Sequence, residues 1–472
     1  HKQMNILNTI VNSLNAAFGR KQAFDDLLAN KDIDRLIRQF QNRDDEVEKA
    51  INEYDVTKHK IMARPPKFKK NKRGEILGEV KQWKLPIPYQ KYINEIALVF
   101  LYGQPLKFSL LTEEHKEAFS FFKDTLKDLR FDSRIRQAKR LAGAETESAI
   151  LLHLYRNDDN QPDALLKVLA KSKGDILRPL FDSFDRMIAF GRGYYVKHEG
   201  ISVFNFDIYT KDKIYNCRKL DIGWEVEEEQ NLIGKIPVIY FHQDAEHADV
   251  QELIDREEYI ASITADVNDY FASPAAKATA DVIENLPDKG EPGKLFLLAN
   301  KDSVLEYLEI ESAPELKKQE LDYLEKQILN KSFTPKIDFE SMKGLSNTSA
   351  KALKQMMVLA EIKAKNHQEV HDELIDRFIN LIKAAIANVL NIKLAGQVKD
   401  MIIDHSFQSP FADDVAEMIT NLVNSVENDL MSEETAREMH PLISDSTAEN
   451  ERVEKEREGK AKRNSEYAFR EF

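Results

Sequence analysis

The chain has 472 residues, 42% of them hydrophobic, and a formal net charge of −13. That length supports more than one packed unit, and the ordinary apolar content excludes a wholly disordered chain. The acidic balance argues against broad adhesion to nucleic acid, no apolar run reaches membrane-spanning length, and the lone cysteine, Cys217, leaves no intrachain disulfide and points to a reducing compartment.

Residues 4–14 repeat apolar side chains at Ile6, Ile10 and Leu14, and 33–40 do the same, so both are expected helices. Residues 58–84 hold ten Lys and Arg against two Glu, with Pro65-Pro66 blocking a helix. This stretch reads as a solvated loop or, more sharply, as an arm touching a polyanion. A helix is expected within 86–108, entered after Pro86 and Pro88 and closed at Gly103, and another over 113–129. Runs at 150–155, 181–190, 194–197, 203–209, 214–217 and 237–241 are β-type, separated by turn signals such as Asp158-Asp159-Asn160. The middle of the chain is therefore expected to be α+β with antiparallel strands.

From Asp249 the pattern changes. Leu253, Ile254, Ile260, Ile263, Val267, Tyr270 and Phe271 mark one face of a long helix that stops before Pro274. A Pro/Gly-bounded excursion follows, with strands expected at 295–298 and 304–310. A second helix starts near Pro314 and carries Leu316, Tyr323, Leu324 and Ile328. An irregular loop at 332–348 precedes helix from 349 to 390, with a kink allowed near Asn366-His367. A strand at 402–407, helices at 410–423 and 432–439, and a charged segment at 447–472 complete the chain. That last segment, seven acids against seven bases, reads equally as a solvated helix or a disordered tail.

Catalytic chemistry has little footing. Gly290, Gly293 and Lys294 lack phosphate-loop spacing, and Gly191-Arg192-Gly193 lacks a third glycine; both read as turns. His242, Asp244, Glu246, His247 and Asp249 form the one His/acid cluster, better explained as a polar loop than a metal site. No catalytic residue, metal site or cofactor is expected, and the protein is not expected to be an enzyme. The acids are more informative. Residues 249–331 hold 19 Asp and Glu against 9 Lys and Arg. Beyond a merely solvated face, this suits a wall along which a polyanion slides without sticking. The following loop reverses the balance, with Lys331, Lys336, Lys343, Lys351 and Lys354 against Asp338 and Glu340.

Four stretches, in this order, resemble the portal proteins of tailed bacteriophages, the head-to-tail connectors. Pro88-Tyr89-Gln90-Lys91-Tyr92-Ile93-Asn94-Glu95 running on to Gly103-Gln104-Pro105 is similar to the family's helix and Gly-x-Pro turn. Gly234-Lys235-Ile236-Pro237-Val238 before the Leu253 helix resembles the approach to the stem. Phe333-Thr334-Pro335 through Gly344 and Ser346-Asn347-Thr348-Ser349 resembles the tunnel loop. Met431-Ser432-Glu433-Glu434-Thr435 with Asp445, Glu449, Arg452 and Glu456 resembles a common C-terminal pattern.

The resemblance implies an α+β, portal-type fold that assembles as a ring of twelve around double-stranded DNA. It implies a wing over 1–248, stem helices at 249–273 and 314–331, a clip at 274–313, a tunnel loop at 332–348, a long helix at 349–390 and a crown and tail over 391–472. Lys336, Lys343, Ser346, Asn347 and Thr348 would face DNA. Leu253, Ile260, Ile263, Val267, Tyr323 and Ile328 would pack the stem, and Leu295, Phe296, Leu298, Leu305 and Tyr307 would serve clip contacts. Implied partners are the terminase large subunit, an adaptor or head-completion protein, and the major capsid and scaffolding proteins, with no membrane. The implied location is a capsid vertex of the virion, after assembly in the bacterial host cytoplasm. Another virion structural protein, an adaptor or scaffold-like factor, is the main alternative, ahead of a nucleic-acid-processing enzyme.

Overall fold

The computed structural model describes residues 23–71, 73–111, 113–198, 200–271, 276–278, 305–307, 314–337, 357–410, 415–440, 442–443 and 446–468. They fall into two units, His1–Lys336 with Leu359–Gln408, and Ile337–Val358 with Ser409–Phe472.

The larger unit is layered. Short helices α1 (Ile33–Ile37) and α2 (Asp44–Tyr54) come first. Strands β1 (Lys67–Lys70) and β2 (Ile76–Val80) form a hairpin whose residues are all exposed. The sequence marked 58–84 as loop or arm; β1 and β2 make part of it a hairpin, and its other described residues are turn and extended chain. Helix α3 (Tyr89–Tyr102) begins after Pro88, as expected. Strand β3 (Lys107–Leu110), helix α4 (Lys116–Asp128) and helix α5 (Phe131–Glu145) follow.

Eight strands come next: β4 (Glu147–Arg156), β5 (Pro162–Leu169), β6 (Asp175–Phe181), β7 (Met187–His198), β8 (Ile201–Tyr209), β9 (Lys213–Leu220), β10 (Gly223–Gln230) and β11 (Val238–His242). They make a three-stranded sheet, β11-β4-β5, and a five-stranded meander, β10-β9-β8-β7-β6. Every pairing is antiparallel, as expected.

Strand β4 explains the layering. Residues from Glu147 to Leu152 are buried without alternation, which marks a strand covered on both faces. Ile150 and Leu152 join one apolar cluster with Phe122, Phe131 and Phe378. Ala149 and Leu151 join another with Leu177, Phe190 and Tyr209 from the five-stranded sheet. The far side of that sheet, through Leu180, Phe206 and Cys217, packs on Phe24, Leu28, Ile33 and Leu36. Helices, sheet, sheet and short helices therefore stack in that order. Cys217 is an inert core residue, its thiol pushed up to about 12 by burial.

After β11 come helix α6 (Gln251–Phe271), strands β12 (Ala276–Ala278) and β13 (Leu305–Tyr307), helix α7 (Pro314–Lys331) and helix α8 (Val358–Ala385). The last turn of the long helix is π-type, Ile386–Leu390. Helix α9 (Ala395–Asp400) and strand β14 (Ile403–Ser406), paired with β3, close the unit. Residues 391–408 belong to its core, with Leu394, Val398 and Met401 buried there.

In the smaller unit, α10 (Val415–Glu427), α11 (Glu433–Met439) and α12 (Ser446–Ala468) are helical. The Ser432 hydroxyl caps α11 by accepting from the Thr435 amide at 3.1 Å, the expected capped start. Arg437 bridges α11 and α12 by donating to Asn450 at 3.0 Å. The charged C-terminal segment is thus helix through Ala468.

Several expectations need correction. The run at 181–190 straddles a hairpin turn, because Asp182 accepts the Phe184 and Arg186 amides at 2.9 and 3.0 Å and reverses the chain. Gly191-Arg192-Gly193 is the interior of β7, not a turn. A Cβ on Gly191 would lie 2.4 Å from the Phe206 ring, so glycine is required by close approach there. Helix α8 runs unbroken through Asn366-His367. Strand β13 pairs with β12, while the partner expected at 295–298 lies outside the described residues. The expected helix at 4–14 also lies outside them.

Candidate functional site

Helices α6 and α7 form a pair rooted in the larger unit. Ile254 shares an apolar cluster with Ile328, Val250 and Ile93, and further along Arg256 meets Glu320 at 2.9 Å, so the helices run antiparallel. Ile260 is buried, and Leu253, Ile263 and Val267 are half-buried. On α7, Leu324 and Ile328 are buried, whereas Tyr323 remains 60% exposed.

The polar side of α6 is not a free acidic face. An extended segment, residues 83–87, lies along it like a strap. The Ile87 amide donates to Glu258 at 2.7 Å, the Leu85 amide to Ser262 Oγ at 3.0 Å and the Trp83 amide to Asp266 at 2.7 Å. Four residues of helix advance about 6 Å, and two residues of extended chain advance about 6.6 Å. The two repeats nearly match, so every second amide finds an acceptor. Pro86 and Pro88 sit at the alternate positions, lose no bond for lacking an amide hydrogen, and keep the segment extended.

Side chains complete the strap. His59 meets Glu258 at 2.6 Å, both wholly buried, and Arg64 meets Asp266 at 2.7 Å. Trp83 Nε1 donates to Asp269 at 2.6 Å, and Lys60 reaches Asp255 at 2.6 Å. The basic stretch read as an arm for a polyanion thus spends His59, Lys60 and Arg64 on the protein's own acidic helix. This corrects the expectation of one solvated acidic wall: several of those acids serve the root.

One of these acids titrates in a useful range. Burial pushes Glu257 up to about 7, the nearby charges of Glu325 and Glu258 add to this, and the hydrogen bond from Tyr89 at 2.9 Å opposes it. Native protein therefore binds this proton more tightly than the unfolded chain, and the associated stability is lost as pH rises toward about 7. His59 works in the same direction, since Glu258 raises it against the lowering effect of burial. Denaturant midpoints are expected to fall between about pH 5 and about pH 8, and Glu257→Gln is expected to flatten that fall. Identical pH profiles for the two proteins would refute the assignment.

Below the root lies a buried ionic hub. Glu246, 2% exposed, accepts Lys139 Nζ at 2.5 Å, Lys363 Nζ at 2.7 Å and His367 Nε2 at 3.1 Å. Burial alone would raise this carboxyl, but Lys139, His367 and Lys363 hold it well below the usual range. Burial in turn lowers Lys139, His367 and His371. Lys363 also donates to the Ser332 carbonyl at 3.1 Å, at the end of α7. The hub therefore joins α5, the turn before α6, α7 and α8.

Gly143 makes room for the hub. Its carbonyl accepts the Glu246 amide at 2.9 Å, and a Cβ there would fall 2.1 Å from Asn94 Oδ1 and 2.9 Å from Glu246 Cγ. The sequence missed the hub and read Glu246 and His247 as loop; both are buried, while His242, Asp244 and Asp249 are exposed. Among the described residues no group of three His, Cys, Asp or Glu could hold a metal ion.

Known proteins decide what this framework belongs to. The chain matches the family described as "Phage portal protein, SPP1 Gp6-like" over residues 33–463. The chain belongs to this family. The protein is accordingly a phage portal protein by descent, a structural component of the phage particle. No curated protein matches the chain. Among solved structures, the neck of a native GTA particle computed with C12 symmetry aligns at 9% identity and a TM-score of 0.40, covering 75% of this chain and 90% of that one. The neck of an empty GTA particle computed with C6 symmetry aligns at 9% identity and a TM-score of 0.40, covering 76% and 90%.

Within this portal-family chain, the residues singled out from sequence are distributed as follows. Leu253, Ile260, Ile263, Val267 and Ile328 lie on buried or half-buried faces of the helix pair, and Tyr323 lies outside. Lys336 meets Glu325 of α7 at 2.8 Å. Leu305 and Tyr307 stand on β13. Lys343, Ser346, Asn347, Thr348, Leu295, Phe296 and Leu298 lie outside the described residues.

Proposed function

We propose that this portal protein assembles as a ring, twelve copies by the implied family pattern, at one capsid vertex, and that double-stranded DNA is packaged and ejected through its centre. The observation that carries this reading is the family match over nearly the whole chain, joined to a helix pair held by its root and continuing into a Lys-containing segment. Helices α6 and α7 would be the stem. Side-by-side packing of identical stems closes a heterologous ring, and Tyr323 and Leu316, 60% and 64% exposed, are apolar side chains available for that packing. Residues 274–313 would form the clip, where Leu295, Phe296, Leu298, Leu305 and Tyr307 meet neighbouring copies, the adaptor or the terminase. Residues 332–348, with Lys336, Lys343, Ser346, Asn347 and Thr348, would touch DNA, and ATP hydrolysis would rest with the terminase. Residues 391–472 would form the crown and charged tail, with 391–408 packed in the larger unit.

The DNA-facing assignment has a direct test. Replacing Lys336 and Lys343 together by Ala is expected to lower the yield of packaged DNA while rings still form. Normal packaged-DNA yield from assembled double-variant rings would refute it.

A further inference from the structure

We propose that the larger unit carries a binding site for a phosphate group, in the cavity between α5 and strands β5, β6 and β7. The cavity measures about 630 Å³, and Arg134, Lys167, Lys173, Asp175, Arg192 and Tyr194 supply its polar lining. Four cations and one carboxylate line it, with Asp207 behind them 3.9 Å from Arg192, in a chain whose formal net charge is −13.

That carboxylate is already engaged. Asp175 accepts from Arg192 Nε at 2.7 Å, and Arg192 also lies 4.1 Å from the centre of the Tyr194 ring. The other three cations lack such partners. Arg134 Nε is buried without a hydrogen-bond partner among the described residues, and neither Lys167 nor Lys173 forms an ion pair there. Burial and Arg192 lower Lys167 against the opposing charges of Asp175 and Asp207, and burial and Arg134 lower Lys173 against those of Asp175 and Glu145, so both lysines are held below their usual range. An entering anion would relieve this repulsion.

The backbone aims the site. Gly191 and Gly193 face the rings of Phe206 and Phe204, with no room for a Cβ, so Arg192 between them projects from the opposite side of β7. A fork-shaped guanidinium and two ammonium groups around one space match a tetrahedral phosphoryl group, which offers several oxygens and a negative charge. The shared chemistry has two sources, free phosphate or a phosphodiester of nucleic acid.

The test uses the full chain. Inorganic phosphate is titrated calorimetrically against a chloride control of equal ionic strength, with wild type, with Lys167→Ala/Lys173→Ala and with Arg134→Gln. Saturable phosphate binding is expected in wild type, weakened about tenfold or more in the double variant, as loss of charge-assisted hydrogen bonds requires. Arg134→Gln keeps the helix position and is expected to weaken binding also, so the proposal does not depend on the double variant's folding. Heat from phosphate equal to that from chloride, or an affinity unchanged in both variants, would overturn it. A short double-stranded oligonucleotide then assigns the source: displacement of bound phosphate points to backbone phosphates, and its absence to the free anion.

Discussion

Glu246→Ala is expected to destabilise the larger unit by about 3–5 kcal/mol, because removing one partner of a buried ionic group leaves the other charged and unpaired. Here two cations, Lys139, wholly buried, and Lys363, lose their shared carboxylate, and His367 loses its hydrogen-bond partner. The loss is read as a lower urea midpoint for the transition that reports the larger unit. Replacing both Lys139 and Glu246 by apolar residues, Lys139→Met with Glu246→Leu, is expected to cost less than Glu246→Ala alone. A Glu246→Ala protein within about 1 kcal/mol of wild type would mean that the hub is not a structural tie.

Phe378→Ala is expected to cost a similar amount, about 3–5 kcal/mol, by a different mechanism. Phe378 is 2% exposed on α8, with its ring 4.5 Å from that of Phe131 at the start of α5. Truncation removes buried apolar area and leaves a cavity between two rigid helices that cannot collapse freely. Residues 367 and 378 are separated by about three helical turns, so the hub and this aromatic contact should behave independently. The double variant Glu246→Ala/Phe378→Ala is therefore expected to show nearly additive losses when each is measured under the same conditions. A double variant costing much less than the sum of the two would mean that the contacts fail together, as one cooperative block.

Helices α3, α6 and α7 were legible in the sequence because each pairs apolar periodicity with Pro or Gly at an end. Strands β8 and β9 were legible as alternating β-branched and aromatic runs between turns. Helix α5 was not, since beyond Phe131 and Ile135 its buried residues are small (Ala138, Ala142, Gly143 and Ala144) or charged (Lys139 and Glu145), which weakens the periodic signal. Strand β10 escaped for the opposite reason: Glu225, Glu227, Glu228 and Glu229 mask the inward pair Trp224 and Val226.

The polar framework was the least legible part. Residues 83–87 and α6 are far apart in the chain, and each reads alone as ordinary solvated sequence. Only the near match between extended and helical rises turns Glu258, Ser262 and Asp266 into acceptors for one strap. The hub is the same case, because Lys139, Glu246, Lys363 and His367 come from three separated segments. Net charge correctly marked 249–331 as acidic, but it could not tell the acids that bind the strap from those facing solvent.

The proposed ring with an axial channel rests on assembly of this portal-family chain. Electron microscopy of the purified protein, with particle mass measured on the same sample, tests it most directly. Ring-shaped particles of twelve copies with a central opening are expected. Particles that stay single-copy or paired across all concentrations, or closed assemblies without an axial opening, would contradict it.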